Sequence, residues 1–153
     1  MDGNDIDVKS MVEENCAGFV YGDMTSVAVS EDGSKLAVAI QAENYADTGR
    51  VALFTCNADG TLTFDKVYET GVQPDMVTFA SNDSKILTAD EGEPRDGYGD
   101  GIIDPKGTVT IINLADQTVS QVDFTSYDNS DSREQLVESG VILKKNTNPS
   151  VDF

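Results

Sequence analysis

The residues able to do chemistry crowd into one stretch of this chain, TADEGEPRDGYGDGIIDPKGTV at 88–109. Between Asp90 and Asp104 stand six carboxylates, Asp90, Glu91, Glu93, Asp96, Asp100 and Asp104, with a single base, Arg95. Carboxylates this dense repel one another unless they are solvated, protonated or paired with a cation. Hard oxygen donors on a glycine-rich loop suit Ca²⁺, which takes about six to eight oxygens in variable geometry. The run from Asp96 places Asp at positions 1, 5 and 9 of a calcium loop and Gly at position 6, but Tyr98 stands at position 3 and Gly107 at position 12. With no flanking helices, an EF-hand is not expected. The six carboxylates are candidate ligands of a looser Ca²⁺ site. Two other readings stay open: a solvated acidic loop shaped by its glycines, and a carboxylate pair doing general acid–base work.

The elements that must position this loop repeat. Residues 27–40, VAVSEDGSKLAVAI, match 77–90, VTFASNDSKILTAD, at an offset of 50, with Val27, Ser34, Lys35 and Ala39 recurring as Val77, Ser84, Lys85 and Ala89. Each copy alternates apolar and polar residues, turns on EDGS or SNDS, and runs apolar again, the pattern of a hairpin. GRVALFTC at 49–56 then matches GTVTIINL at 107–114 at an offset of 58, and each is followed by a turn and a further strand, LTFDKVY or VSQVDF. The predicted unit is four short antiparallel strands, repeated twice, which is the period of a β-propeller blade. The extra eight residues of the second copy fall between its second and third strands, in the acidic loop. Loops tolerate such insertions.

The flanks read differently. Ser132-x-x-Gln135 has capping-box spacing and Gly140 suits a left-handed helix stop, so a short helix is predicted around Arg133–Glu138. The apolar run VIL at 141–143 reads as a strand and NTNPS as loop. The expected division is an N-terminal flank over 1–23, blades over 24–72 and 73–125, and a helix-containing connector over 126–153. Two such sheets leave outer faces uncovered, so either the chain is a fragment of a larger propeller, which is the favoured expectation, or its flanks 1–22 and 125–153 cover the faces, or it self-associates through them.

Composition narrows the function. With 28 Asp and Glu against 10 Lys and Arg in 153 residues, the net charge is −18, a field that repels phosphate backbones and anionic lipid. Nucleic-acid binding is therefore not expected. The chain holds no histidine, which removes Ser-His-Asp and Cys-His nucleophilic sites and imidazole metal sites. No window approaches the roughly 20 apolar residues of a membrane helix, and MDGNDIDVKS shows no signal-peptide pattern. Cys16 and Cys56 lack metal-ligand spacing. They are either a disulfide, worth about 4 kcal/mol in the chain-entropy model, or two unrelated small core residues. The sequon Asn82-Asp83-Ser84 lies in a predicted turn, where Asn and Asp are favoured in any case.

Several of these segments occur in a specific order: Thr25-Ser26-Val27-Ala28-Val29, Ala37-Val38-Ala39, Gly49-Arg50-Val51, Gln73-Pro74-Asp75-Met76-Val77-Thr78-Phe79, Glu91-Gly92-Glu93-Pro94, and Asp104-Pro105-Lys106-Gly107. Together they resemble the choice-of-anchor I domain of secreted and surface-attached bacterial proteins. The resemblance covers roughly residues 24–125. It implies a seven-bladed β-propeller, export, and attachment by an anchor outside this chain, so that the present residues are about two blades of the whole. The other blades would then be this chain's partners. Some members carry alkaline-phosphatase names, which implies as an alternative a metal-dependent phosphoesterase with the acidic loop as metal site. Fold alone supplies no catalytic site. The expectation is an all-β pair of propeller blades with a short C-terminal helix, serving binding or structure at the cell surface rather than catalysis.

Overall fold

The computed structural model describes residues 5–97 and 101–143. Among the described residues, eight strands form two four-stranded antiparallel sheets, each a meander of sequence neighbours. The first holds β1 (Tyr21–Val29), β2 (Lys35–Ala42), β3 (Thr48–Cys56) and β4 (Leu62–Val72). The second holds β5 (Pro74–Ala80), β6 (Lys85–Asp90), β7 (Thr108–Asn113) and β8 (Thr118–Asp123). The repeat seen in the sequence holds in the strand register, since Ala39 pairs with Val51 and Ala89 with Val109. The extra length does lie between β6 and β7, as the change in offset predicts.

The hairpin turns solve one geometric problem in two ways. In the first, Gly33 takes a φ of 72°, and Asp32 Oδ1 accepts from the Ser34 N–H at 2.8 Å. In the second, Ser81, Asn82 and Asp83 all adopt positive φ without glycine. Asn and Asp tolerate this region because their short polar side chains bond locally. Asn82 is exposed there. The two turns touch, the Asp32 N–H donating to Asp83 Oδ2 at 3.3 Å.

The sheets pack face to face. Ala37, Ala39, Val51, Leu53 and Tyr68 of the first meet Val77, Ile86 and Ile112 of the second in one buried cluster. Small alanines opposite bulky isoleucines let the layers approach closely. The leading strands β1 and β5 are tied together: Thr25 Oγ1 donates to the Pro74 carbonyl at 2.5 Å, and the Val77 N–H donates to Ser26 Oγ at 3.2 Å. A single residue, Gln73, joins β4 to β5.

The opposite face of the first sheet is covered by a helix the sequence reading did not find, α1 (Val8–Asn15). Its N-cap, Asp7, accepts from the Ser10 N–H, and Val12 is fully buried. Val12 and Phe19 pack on Val38, Ile40, Ala52 and Phe54. Cys16 borders this cluster, and both Cys16 and Cys56 are free thiols rather than a bridge.

Two expectations for the C-terminal flank need correction. The second helix, α2, spans Ser130–Glu138 and is capped by Asn129, whose side chain accepts from the Ser132 N–H. Ser132 lies inside the helix because Asn129, with extended backbone, already satisfies that donor. Residues 141–143 form no strand, and Ile142 is 96% exposed. An apolar run needs a neighbouring strand to become one, and none among the described residues lies beside it. Gly140 does stop the helix with a φ of 93°. The NTNPS segment lies outside the described residues.

Candidate functional site

Strand period decides the fate of the first acidic residue. Along β6 the inward positions are Ile86, Thr88 and Asp90, so Asp90 points into the seam between the sheets and is 2% exposed. Its Oδ1 accepts from Thr88 Oγ1 at 2.7 Å. Its Oδ2 accepts from Thr108 Oγ1 at 2.8 Å, Thr110 Oγ1 at 2.6 Å and the Gly71 N–H at 3.2 Å. Four protein donors thus replace water around a buried charge, which is what burial of a carboxylate requires.

The loop beyond β6 is fastened to the joint between the sheets. The Glu91 N–H donates to the Gln73 carbonyl at 3.0 Å, and the Gly92 N–H to the Val72 carbonyl at 3.2 Å. Gln73, 1% exposed and at a φ of 56°, turns its side chain into a clamp. Its Nε2 donates to the carbonyls of Tyr45 at 2.9 Å and Glu93 at 2.7 Å, linking the equivalent loops of the two sheets. Its Oε1 accepts from Arg95 Nε and Nη2 at 3.4 and 3.3 Å. Gly92 closes the loop base: with a φ of 62°, a Cβ there would lie 2.6 Å from the Lys106 carbonyl and 2.8 Å from that of Pro105. The Glu91-Gly92-Glu93-Pro94 and Asp104-Pro105-Lys106-Gly107 segments occur together because they touch.

The remaining carboxylates have distinct surroundings. Glu91 has its carboxyl held above the ordinary range, first by partial burial and then by the negative charges of Asp75 and Glu93, with Arg95 opposing. Glu93 lies 3.9 Å from Arg95 Nε. Asp96 accepts from the Tyr45 hydroxyl at 3.1 Å. Asp104 is half-buried. Asp100 lies outside the described residues. Among the described residues no three carboxylate or thiol side chains group as a cation site.

Sequence reasoning missed Gln73, Asp75, Tyr45 and Gln41. Asp75 adds a negative charge at Glu91, and Gln41 Oε1 accepts from Arg95 Nη2 at 3.4 Å. The only available signal was the Gln73-Pro74-Asp75 segment, which reads as a strand entry. Beside the loop lies an open cleft of about 480 Å³, lined by Tyr21, Asp23, Gln41, Glu43, Tyr45 and Arg95. The hydrolytic alternative gains nothing from this geometry, since Asp90 is spent on four structural hydrogen bonds.

Two successive meander sheets of one repeat, joined by a single residue and bearing a clamped acidic loop, define an all-β repeat module. The family model of the choice-of-anchor I domain matches residues 1–152, and the chain belongs to that family. Comparison with curated proteins gave no match.

Proposed function

We propose that this chain is a two-blade section of a bacterial cell-surface β-propeller, with a binding or structural role and a calcium-stabilised loop. Membership of the choice-of-anchor I family supports the surface location. One observation carries the propeller reading. The outward face of the second sheet bears Leu87, Ala89, Val109, Ile111 and Val122, at the register positions of Ala37, Ala39, Val51, Leu53 and Tyr68. In the first sheet those positions are buried under the second. In the second sheet the same face is open, with Met76 57% and Val122 49% exposed. A third sheet of the repeat fits there as the second fits on the first.

In this reading Asp90 anchors the seam, while Glu91, Glu93, Asp96, Asp100 and Asp104 supply the oxygens for Ca²⁺. Thermal melts with Ca²⁺, with Mg²⁺ and with a chelator test the calcium part. A ligand of the native state stabilises it by about 2.7 kcal/mol at a hundredfold excess over Kd, so a calcium-specific rise in Tm is expected. Equal melts in all three would remove calcium from the proposal. The blade part is tested by maleimide labelling of Met76→Cys in a chain whose own free thiols are removed by Cys16→Ala and Cys56→Ala. Labelling is expected to be fast in this chain and suppressed in a chain extended by further repeats.

A further inference from the structure

The repeat register also identifies the face under α1. Val27, Val29, Leu36, Val38, Ala52 and Phe54 occupy the positions of Val77, Phe79, Ile86, Thr88, Thr110 and Ile112, the face by which the second sheet packs on the first. The two ends of the molecule therefore carry the two halves of the interface seen at its centre. None of these side chains is charged, while further along the same face Ile40 and Arg50 stand where the second sheet has Asp90 and Thr108.

The helix covers its end incompletely. Val38, Ala52 and Phe54 are buried beneath it, but Val27 and Val29 remain 51% and 57% exposed, whereas Val77, the counterpart of Val27, is 3% exposed. The helix is only eight residues long, and Val12 is its one fully buried side chain. Isolated helices of this length are unstable in water, so α1 exists by virtue of the sheet it covers.

We infer that α1 is a cap standing in for a sheet, and that the occupant it excludes is the open second-sheet face of another copy of this chain. The inference rests on the stacking reading above. A copy docked at that end continues the internal interface, its Leu87, Val109 and Ile111 replacing Val12 and Phe19. The contact is heterologous, so without the cap it propagates head to tail rather than closing as a symmetric dimer.

Size-exclusion chromatography with light scattering across a range of concentrations tests this. The wild-type chain is expected to be monomeric. Val12→Asp, which places a charge at the buried contact of the cap, should raise the apparent mass about twofold or more as concentration increases. Adding Ile111→Lys on the open face should restore the monomer. Circular dichroism establishes that the sheets persist, and Val8→Asp serves as the milder cap variant if Val12→Asp unfolds. Folded cap variants that stay monomeric overturn the inference, as do oligomers that survive Ile111→Lys, or a wild-type chain already oligomeric through Ile111. Monomeric cap variants alongside protection of position 76 in an extended chain would overturn the cap alone and leave the stacking reading intact.

Discussion

The buried carboxylate of Asp90, at the end of β6, accepts a hydrogen bond from the backbone N–H of Gly71, on β4 of the other sheet, 3.2 Å away. This places an ionisable side chain of the second sheet against bare backbone of the first. The same N–H also donates to Thr110 Oγ1 at 3.0 Å, so β4 is held by two acceptors of the opposing sheet. The seam is thus polar at this end and apolar where the alanines and isoleucines meet.

Removing Asp90 takes the acceptor from three threonine hydroxyls, while the Gly71 N–H keeps Thr110 Oγ1. Asp90→Ala is expected to cost about 2–4 kcal/mol, because hydrogen bonds to charged groups and unsatisfied buried donors are each worth on the order of 1–3 kcal/mol. Asp90→Asn should cost less, since the threonine hydroxyls can rotate to accept from the amide. Urea unfolding with and without chelator measures both. A midpoint unchanged in Asp90→Ala would show that the network contributes nothing.

Gly71 and Gly33 separate two causes of glycine dependence. A Cβ on Gly71 would collide with Thr108 Oγ1 and lie 2.6 Å from Asp90 Oδ2. Gly71→Ala should destabilise by about 1–3 kcal/mol through overpacking. A Cβ on Gly33 meets nothing within 4 Å, and the turn demands only a φ of 72°. Gly33→Ala should cost about 1 kcal/mol from backbone strain alone. Thermal unfolding of the two variants decides whether the order holds.

Gln73→Ala deletes the clamp on the acidic loop but leaves the Gln73 backbone bonds in place. We expect faster tryptic cleavage after Arg95, whose guanidinium loses the Gln73 Oε1 acceptor, together with a loss of about 1–3 kcal/mol in global stability from the two carbonyls left without their donor. Cleavage at the wild-type rate would mean that the loop is held by its backbone contacts alone.

The acid limb of stability has two opposed contributions. Glu91 has a folded-state pKa raised above its ordinary 4.5, first by desolvation and then by Asp75 and Glu93. Its favourable contribution is present below 4.5 and is lost as pH rises through the raised value. Glu91→Gln should therefore raise Tm at neutral pH, with the gain shrinking toward pH 4.5. Asp7, Asp32, Asp59 and Asp116 are held below 3.8, chiefly by side-chain hydrogen bonds from Ser10, Ser34, Thr61 and Thr118. Their contribution is present above 3.8 and lost as pH falls through their lowered values. Asp32→Ala should lower Tm at neutral pH and have little effect once the wild-type carboxyl is protonated. Melting curves from about pH 2 to about pH 8 check both directions.

The strands were legible because alternation and turn residues act locally, and the change of offset from 50 to 58 is enough to locate the long loop. What was not legible depended on neighbours. In VKSMVEEN the apolar spacing of Val8, Met11 and Val12 suits a helix, yet so short a segment is stabilised only by the sheet beneath it. The run VIL lacked the strand that would have made it one. Asp90 looked like the first of the loop carboxylates, although counting by twos from Ile86 turns it inward. The Gln73-Pro74-Asp75 segment marked a strand entry but not the clamp, because a buried glutamine is made by its surroundings.

The meander order of each sheet bears on how the protein is made. Every strand pairs only with its neighbours in the chain, so residues 21–72 hold a complete set of pairings before residue 74 leaves the ribosome. Such local pairings have low loop-closure cost and form early. With Gln73 as the whole joint, the second sheet is laid down directly against a surface already formed. Synthesis from the N-terminus thus supplies the template before the part that needs it, and limits the time for which the second sheet's apolar face is free to find a wrong partner.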